Sequence, residues 1–193
     1  MDLYSEYHTS SITISKSALK NNIQFLKEKI CNNALLSIVV KGNAYGHGIE
    51  ELVPLAQSFG VNRFSVFSAH EAYRVLTAKK GPIHLIILGM IENNQLEWAI
   101  SNDIEIYIFE IDRLLAAAEV AKKLNKKAII HIEVETGMNR TGFDQKDLSE
   151  VIRLIDFNKE YLQVEGLCTH YAGAESVSNY LRIQNQIEQF NSI

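Results

Sequence analysis

The stretch Ile38-Val39-Val40-Lys41-Gly42-Asn43-Ala44-Tyr45-Gly46-His47-Gly48 sets the reading of this chain. An apolar, β-branched run of strand type ends abruptly in a lysine. A glycine-rich turn follows, with a tyrosine and a histidine in it. A lysine at the end of a buried strand is partly removed from water. Burial disfavours the charged form of an amine, and a free amine is the form that attacks a carbonyl. The glycines let backbone and ligand approach closely. Lys41 is therefore a candidate nucleophile, although a lysine at a strand end is also how an ordinary solvated loop begins.

Outward from Lys41, strand-like and helix-like patterns alternate with little interruption. Upstream, residues 11–14 read as a short leading strand. Ser15 reads as the N-cap of a helix in which Leu19, Ile23, Leu26 and Ile30 recur at helical spacing. Residues 35–40 form the strand that ends at Lys41. Downstream, helices over 50–59, 69–78, 93–101, 112–124, 148–157 and 177–190 alternate with strands over 63–67, 83–88, 105–109, 128–134 and 162–169. In the helix over 112–124, Leu114, Leu115, Ala118 and Ala121 share one face. This alternation points to parallel βαβ units, about six of them after the leading strand. A closed (β/α)8 TIM-type barrel needs eight and typically about 250 residues, so the chain spans about three-quarters of one. An open doubly wound sheet also accepts six parallel strands, but no GxGxxG follows the first strand.

The 193 residues fit one domain over 1–193, with a core large enough to be stable. Hydrophobic residues make up 47% and charged residues 22%, a globular rather than a disordered balance. The formal net charge is -4 and no long basic run occurs, which argues against nucleic acid or an anionic membrane as partner. Cys31 and Cys168 lie far apart and form no CxxC, which points to a reduced cytoplasm. Residues 1–9 carry no signal-peptide core, and the longest apolar run, residues 85–91, is too short to span a bilayer.

Parallel barrels gather reactive groups at the carboxyl ends of their strands. Besides Lys41, two places put polar groups there. In the first, the strand end His131-Ile132-Glu133-Val134 runs through Glu135 into a turn bounded by Gly137 and Gly142, with Arg140 between them. A guanidinium is permanently charged and presents a fork of donors suited to a carboxylate or a phenolate oxygen. Read alone, the segment fits a surface arginine in a tight turn equally well. In the second, His170 directly follows the apolar strand that ends at Thr169. It is suited to lie against an aromatic ring or to orient a neighbour, and equally to be an ordinary polar cap.

Together these segments resemble the alanine racemase family, in the same order and at comparable separations. The family's Lys-Ala/Gly-Asn-Ala-Tyr-Gly-His-Gly motif is matched by Lys41 to Gly48. Its Thr-Gly-Met-x-Arg-x-Gly motif is matched by Thr136 to Gly142. Its Gly-Leu-x-Thr-His-Phe-Ala motif is matched by Gly166 to Ala172, with Tyr171 in place of the phenylalanine. The resemblance covers essentially the whole chain, and the first motif is the most specific. It implies the N-terminal barrel domain of that family and the interconversion of L-alanine and D-alanine for peptidoglycan. It implies pyridoxal 5'-phosphate as cofactor, an amino acid as small-molecule substrate, no metal, and a cytoplasmic homodimer for the full-length family member. By resemblance, Lys41 holds the cofactor as a Schiff base and serves as one acid/base group. Tyr45 helps hold the phosphate, Arg140 bonds near the ring hydroxyl, and His170 packs by the ring. Met138 and Arg140 face the substrate. The resemblance assigns His47 no definite role.

Two departures stand out. Many family members carry a lysine, often carbamylated, at the position of Glu133, where it bonds the nearby arginine. Glu133 supplies a carboxylate without modification, on a shorter arm, and reads either as a built-in substitute that orients Arg140 or as a plain strand glutamate. The family also continues with two more βα units and a β-rich domain. These bring further phosphate ligands, an arginine for the pyridine nitrogen and a tyrosine that is the second base. Residues 1–193 alone are therefore expected to be inactive. Two other readings stay open. One is a related barrel enzyme, such as a racemase for serine or another amino acid, or a decarboxylase. The other is a non-catalytic pyridoxal phosphate carrier.

Overall fold

A computed structural model describes residues 10–30 and 34–193, so Cys31 lies outside the described residues. The chain forms two compact units: Met1–Val66 with His70–His84, and Phe67–Ala69 with Leu85–Ile193.

In the first unit, helix α1 (Lys16–Lys29) starts where expected. The Ser15 hydroxyl accepts the Ala18 N–H at 3.3 Å. Ile23 is its one fully buried residue, and Lys27 donates to the carbonyls of Phe59 and Gly60 at 3.2 and 3.0 Å. Strand β1 is only Ile38–Val39. It pairs in parallel with β2 (Arg63–Val66), Ile38 opposite Phe64 and Val39 opposite Ser65. A left-handed turn, α2 (Lys41–Tyr45), leads into helix α3 (Ile49–Ser58). Ile49, Val53 and Ala56 lie on one face of α3 and are fully buried. Helix α4 (Ala69–Ala78), apart from its first residue, completes the unit with Ala72 and Val75 buried.

The second unit carries β3 (His84–Ile87) apart from its first residue, α5 (Asn93–Ser101), β4 (Glu105–Ile108), α6 (Ile111–Leu124), β5 (Ala128–Glu133), α7 (Leu148–Phe157), β6 (Leu162–Cys168) and α8 (Tyr180–Asn191). Its four strands are parallel and adjacent in chain order. A bulge between β5 and β6 shifts the register, so that Ile130 faces Val164 but His131 faces Gly166. The core is built from Ile86, Ile87, Leu96, Ile106, Ile108, Leu114, Ala117, Ala121 and Ile130. Burying each of these leucines and isoleucines is worth roughly 1.5–3 kcal/mol. Among the described residues, no helix is long and apolar enough to cross a membrane and no cluster of metal-ligating side chains occurs.

The sequence reading departs from this in four places. Residues 11–14 form no strand, because no other described strand pairs with them. Residues 35–37 stay outside β1 for the same reason. Leu115 is 42% exposed, while Ala117 takes its expected place in the core of α6. The last helix starts late, after a 3-10 turn over Val177–Asn179.

Candidate active site

Lys41 stands half-buried at the carboxyl end of β1, directly after the fully buried Val40. The Val40 N–H donates to Ser65 O on β2 at 2.8 Å, which fixes the strand end that carries the lysine. The chain then turns with the wrong hand. Gly42, Asn43, Ala44 and Tyr45 all have φ between 53 and 60°, and only the first is glycine. Left-handed helical backbone costs an L-residue roughly 1–2 kcal/mol, so a run of it needs support. Support comes from side chains. The Gly42 N–H donates to Glu71 Oε1 at 2.6 Å. The Asn43 side-chain oxygen accepts the Ile49 N–H at 3.2 Å and the Arg74 guanidinium at 2.6 Å. Arg74 also forks onto both Glu50 oxygens, at 2.7 and 2.6 Å, and holds the Glu50 carboxyl below its ordinary pKa. His47 settles its own role here. Its Nδ1 lies 2.8 Å from the Ala44 carbonyl, which only accepts, so Nδ1 carries the proton and the ring caps the turn. Tyr45 is 64% exposed at the edge of this turn.

Arg140, Met138 and His170 belong to the second unit. The chain leaves β5 at Glu133 and closes a loop when Val134 bridges to Phe143. The Phe143 N–H donates to Glu133 O at 2.8 Å, and the Glu135 N–H to Phe143 O at 3.0 Å. Gly142 makes that closure possible. At φ 117°, a Cβ there would lie 2.6 Å from Glu135 N. Inside the loop the Glu135 carboxylate gathers the N–H groups of Gly137, Asn139 (2.8 Å) and Arg140 (3.3 Å). Burial by itself raises the pKa of this carboxyl. The N–H groups of Asn139, Gly137, Arg140 and Met138 outweigh burial and hold it below the ordinary value. Met138 is half-buried and Arg140 exposed on this frame.

Glu133 is 4% exposed at the end of β5. Burial raises its pKa, against a hydrogen bond from Thr141 and the charge of Arg140. Thr141 and Arg140 both oppose the effect of burial, Thr141 through hydrogen bonding and Arg140 through its charge. Behind Glu133 a polar ladder runs across one face of the strands. His131 Nε2 lies 2.7 Å from Glu105 Oε2, and the Tyr107 and His131 rings stand 5.7 Å apart. Burial pushes the Cys168 thiol up to about 12, with the Tyr107 hydrogen bond opposing and the Glu133 charge adding. Burial likewise raises the Tyr107 phenol, so neither side chain ionises near neutrality.

His170 is exposed just past β6. Its carbonyl accepts from Gln186 Nε2 of α8 at 2.9 Å, and Gln186 Oε1 accepts the Ala172 N–H at 2.9 Å. The same amide reaches Thr136 Oγ1 at 3.3 Å. Glu135 and Gln186 are the residues that sequence reasoning missed. Glu135 had a visible signal, a carboxylate two positions before the glycine that opens the turn. Gln186, 16 positions after His170, had none beyond a polar residue on the inner face of an amphipathic helix.

A profile of the alanine racemase N-terminal domain matches residues 14–193. The chain belongs to that family. Its relatives include the alanine racemase of Francisella philomiragia, 38% identical over 165 residues, which are 86% of this chain and 44% of that one. That of Francisella tularensis subsp. tularensis is 36% identical over 182 residues, 94% of this chain and 48% of the other. Among solved structures, the alanine racemase of Clostridium difficile 630 is 26% identical with a TM-score of 0.82, over 91% of this chain and 45% of that chain. The histidine racemase of Leuconostoc mesenteroides subsp. sake is 25% identical with a TM-score of 0.83, over 92% and 47%. The chain spans about half the length of the curated relatives it matches. Its fold class is that of the racemase N-terminal TIM-type barrel, with six strand–helix units among the described residues.

Proposed function

We propose that this chain supplies the cofactor-holding part of an alanine racemase, with pyridoxal phosphate on Lys41. The observation that carries this reading is Lys41 itself. A half-buried amine ends β1 and opens a left-handed turn whose shape is fixed from outside by Glu71 and Arg74. The donor set fits the cofactor: an amine for its aldehyde, the Tyr45 hydroxyl for its phosphate and the Arg140 guanidinium for its ring hydroxyl or a substrate carboxylate. When bound, pyridoxal phosphate supplies an electron sink that makes the Cα proton of an amino acid acidic.

The rest of this chain's share falls to its own groups. Lys41 Nζ takes and returns the proton on one face. Arg140 orients the substrate beside Met138, and its loop arrives preshaped by Glu135. The buried Glu133 carboxyl steadies Arg140 through charge. His170 covers one side of the ring. The working setting is a cytoplasmic one, with a homodimer for a chain of the relatives' full length.

Borohydride reduction in the presence of pyridoxal phosphate, followed by peptide mapping, tests the assignment. The label is expected on Lys41 and absent in Lys41→Ala. A label on another lysine, or none in a folded sample, overturns it. A second reading, a racemase for a different amino acid, is favoured by the likeness to a histidine racemase. Deuterium uptake at Cα by a chain of the relatives' full length, compared between alanine, serine and histidine, decides between the two.

A further inference from the structure

We propose that Gln186 is a positioning residue that sets the Arg140 loop and the His170 loop in one fixed arrangement. It is 1% exposed, in the middle of the inner face of α8, where a leucine of similar size fills space without any polar demand. Its amide orientation is unambiguous. The His170 carbonyl only accepts and the Ala172 N–H only donates, so Nε2 faces the first and Oε1 the second.

From that fixed amide the bonds run on in one direction. Nε2 donates to Thr136 Oγ1, leaving the Thr136 hydroxyl to donate to Thr169 Oγ1 at 2.7 Å. Thr169 then donates to Val134 O at 2.9 Å. One helical turn before Gln186, the Arg182 guanidinium donates to Gly137 O at 2.9 Å. Gly137 is also one of the N–H groups that Glu135 collects together with Arg140. A single helix therefore holds the backbone on both sides: residues 170 and 172 directly, and the frame of Arg140 through Thr136 and Gly137. Among the described residues no strand pairing joins the two loops, because both lie past the ends of β5 and β6.

The inference rests on the proposed function only for what the arrangement serves. The test is made on the 193-residue chain by backbone amide hydrogen exchange, with pyridoxal phosphate binding alongside. Gln186→Met keeps the length and removes every bond. Exchange over 136–142 and over 170–173 is expected to quicken together by about tenfold or more, while β5 and β6 stay within about twofold. Arg182→Ala is expected to quicken 136–142 alone. The affinity for pyridoxal phosphate is expected to fall about tenfold in Gln186→Met. If that variant does not fold, Gln186→Glu, which keeps the acceptor for Ala172, is read in the same way.

Quickening confined to 170–173, or spread equally over the strands, overturns the proposal. So does an unchanged affinity alongside loosened loops. A parent chain that binds no pyridoxal phosphate defeats the functional reading instead, and the paired exchange of the two loops still decides whether Gln186 joins them.

Discussion

The turn after Lys41 and the loop around Arg140 do the same job by opposite means. Each carries a cationic side chain just past a strand end, and each uses positive-φ backbone. In the first, Asn43, Ala44 and Tyr45 sit in left-handed conformation, a strain of about 3–6 kcal/mol if each residue bears the usual cost. It is held from outside by side chains near water, among them an Arg74–Glu50 pair whose partners are 29% and 51% exposed. In the second, strain is confined to Gly137, Asn139 and Gly142, and the half-buried Glu135 is backed by the buried Glu133, Thr136 and Gln186. The reactive amine thus stands on strained backbone with adjustable props, while the guanidinium stands on a frame with little freedom. Strain gives a shape that no relaxed turn offers, and buried bonding gives repeatability.

The sharpest way to break this contrast is to compare glycines. Gly142→Ala puts a Cβ 2.6 Å from Glu135 N and 2.7 Å from Val134 C, against backbone that cannot yield without opening the Val134–Phe143 bridge. It is expected to lower stability by about 3 kcal/mol in urea unfolding. A loss below about 1 kcal/mol would show the frame to be as adjustable as the first turn.

Next come the two carboxyls, which should respond to pH with opposite sign. Glu135 is held below its ordinary value of 4.5, so its contribution is present above that pH and is lost as pH falls towards the folded value. Glu133 is raised above 4.5, so its ionisation costs stability as pH rises from there through the folded value. In melting curves from pH 3 to 8, Glu135→Gln should flatten the acid limb and Glu133→Gln should relieve the loss on the neutral side. Curves that move in the same direction would contradict the assignment.

The smallest effect is expected from Gly42→Ala. Its φ is 60° but nothing lies within 4 Å of an added Cβ, so only the backbone term remains, about 1 kcal/mol. A much larger loss would mean that the props around Glu71 cannot adjust.

What the sequence shows plainly is whatever depends on neighbours along the chain. The bounds of α5 and α7 match their periodicity, and the Ser15 cap is where a serine before a helix should be. Lys41 and His170 fall at strand ends and Arg140 in the turn that follows β5, as their positions after apolar runs imply. What it hides depends on distant partners. Residues 11–14 have strand character and no partner strand among the described residues. Leu115 and Ala117 compete for one face of α6, and packing rather than hydrophobicity decides for the smaller. The left-handed run from Gly42 to Tyr45 contains a single glycine, so propensity does not announce it. Its cause lies 26 or more positions away, in Glu71 and Arg74. Gln186 is silent for the same reason.

The bulge between β5 and β6 carries a lesson about insertions and deletions. Below it, partners differ by 34 positions, as in Ile130 and Val164; above it they differ by 35, as in His131 and Gly166. Glu165 is the surplus residue, exposed and outside the pairing. A gene that lost this codon would encode a regular ladder with Glu133 still opposite Cys168, and everything beyond Cys168 would keep its place. A codon lost elsewhere in β6 would instead carry each following side chain to the opposite face. The chain thus has one point in this strand where its length can drift by a residue without disturbing the end that bears His170.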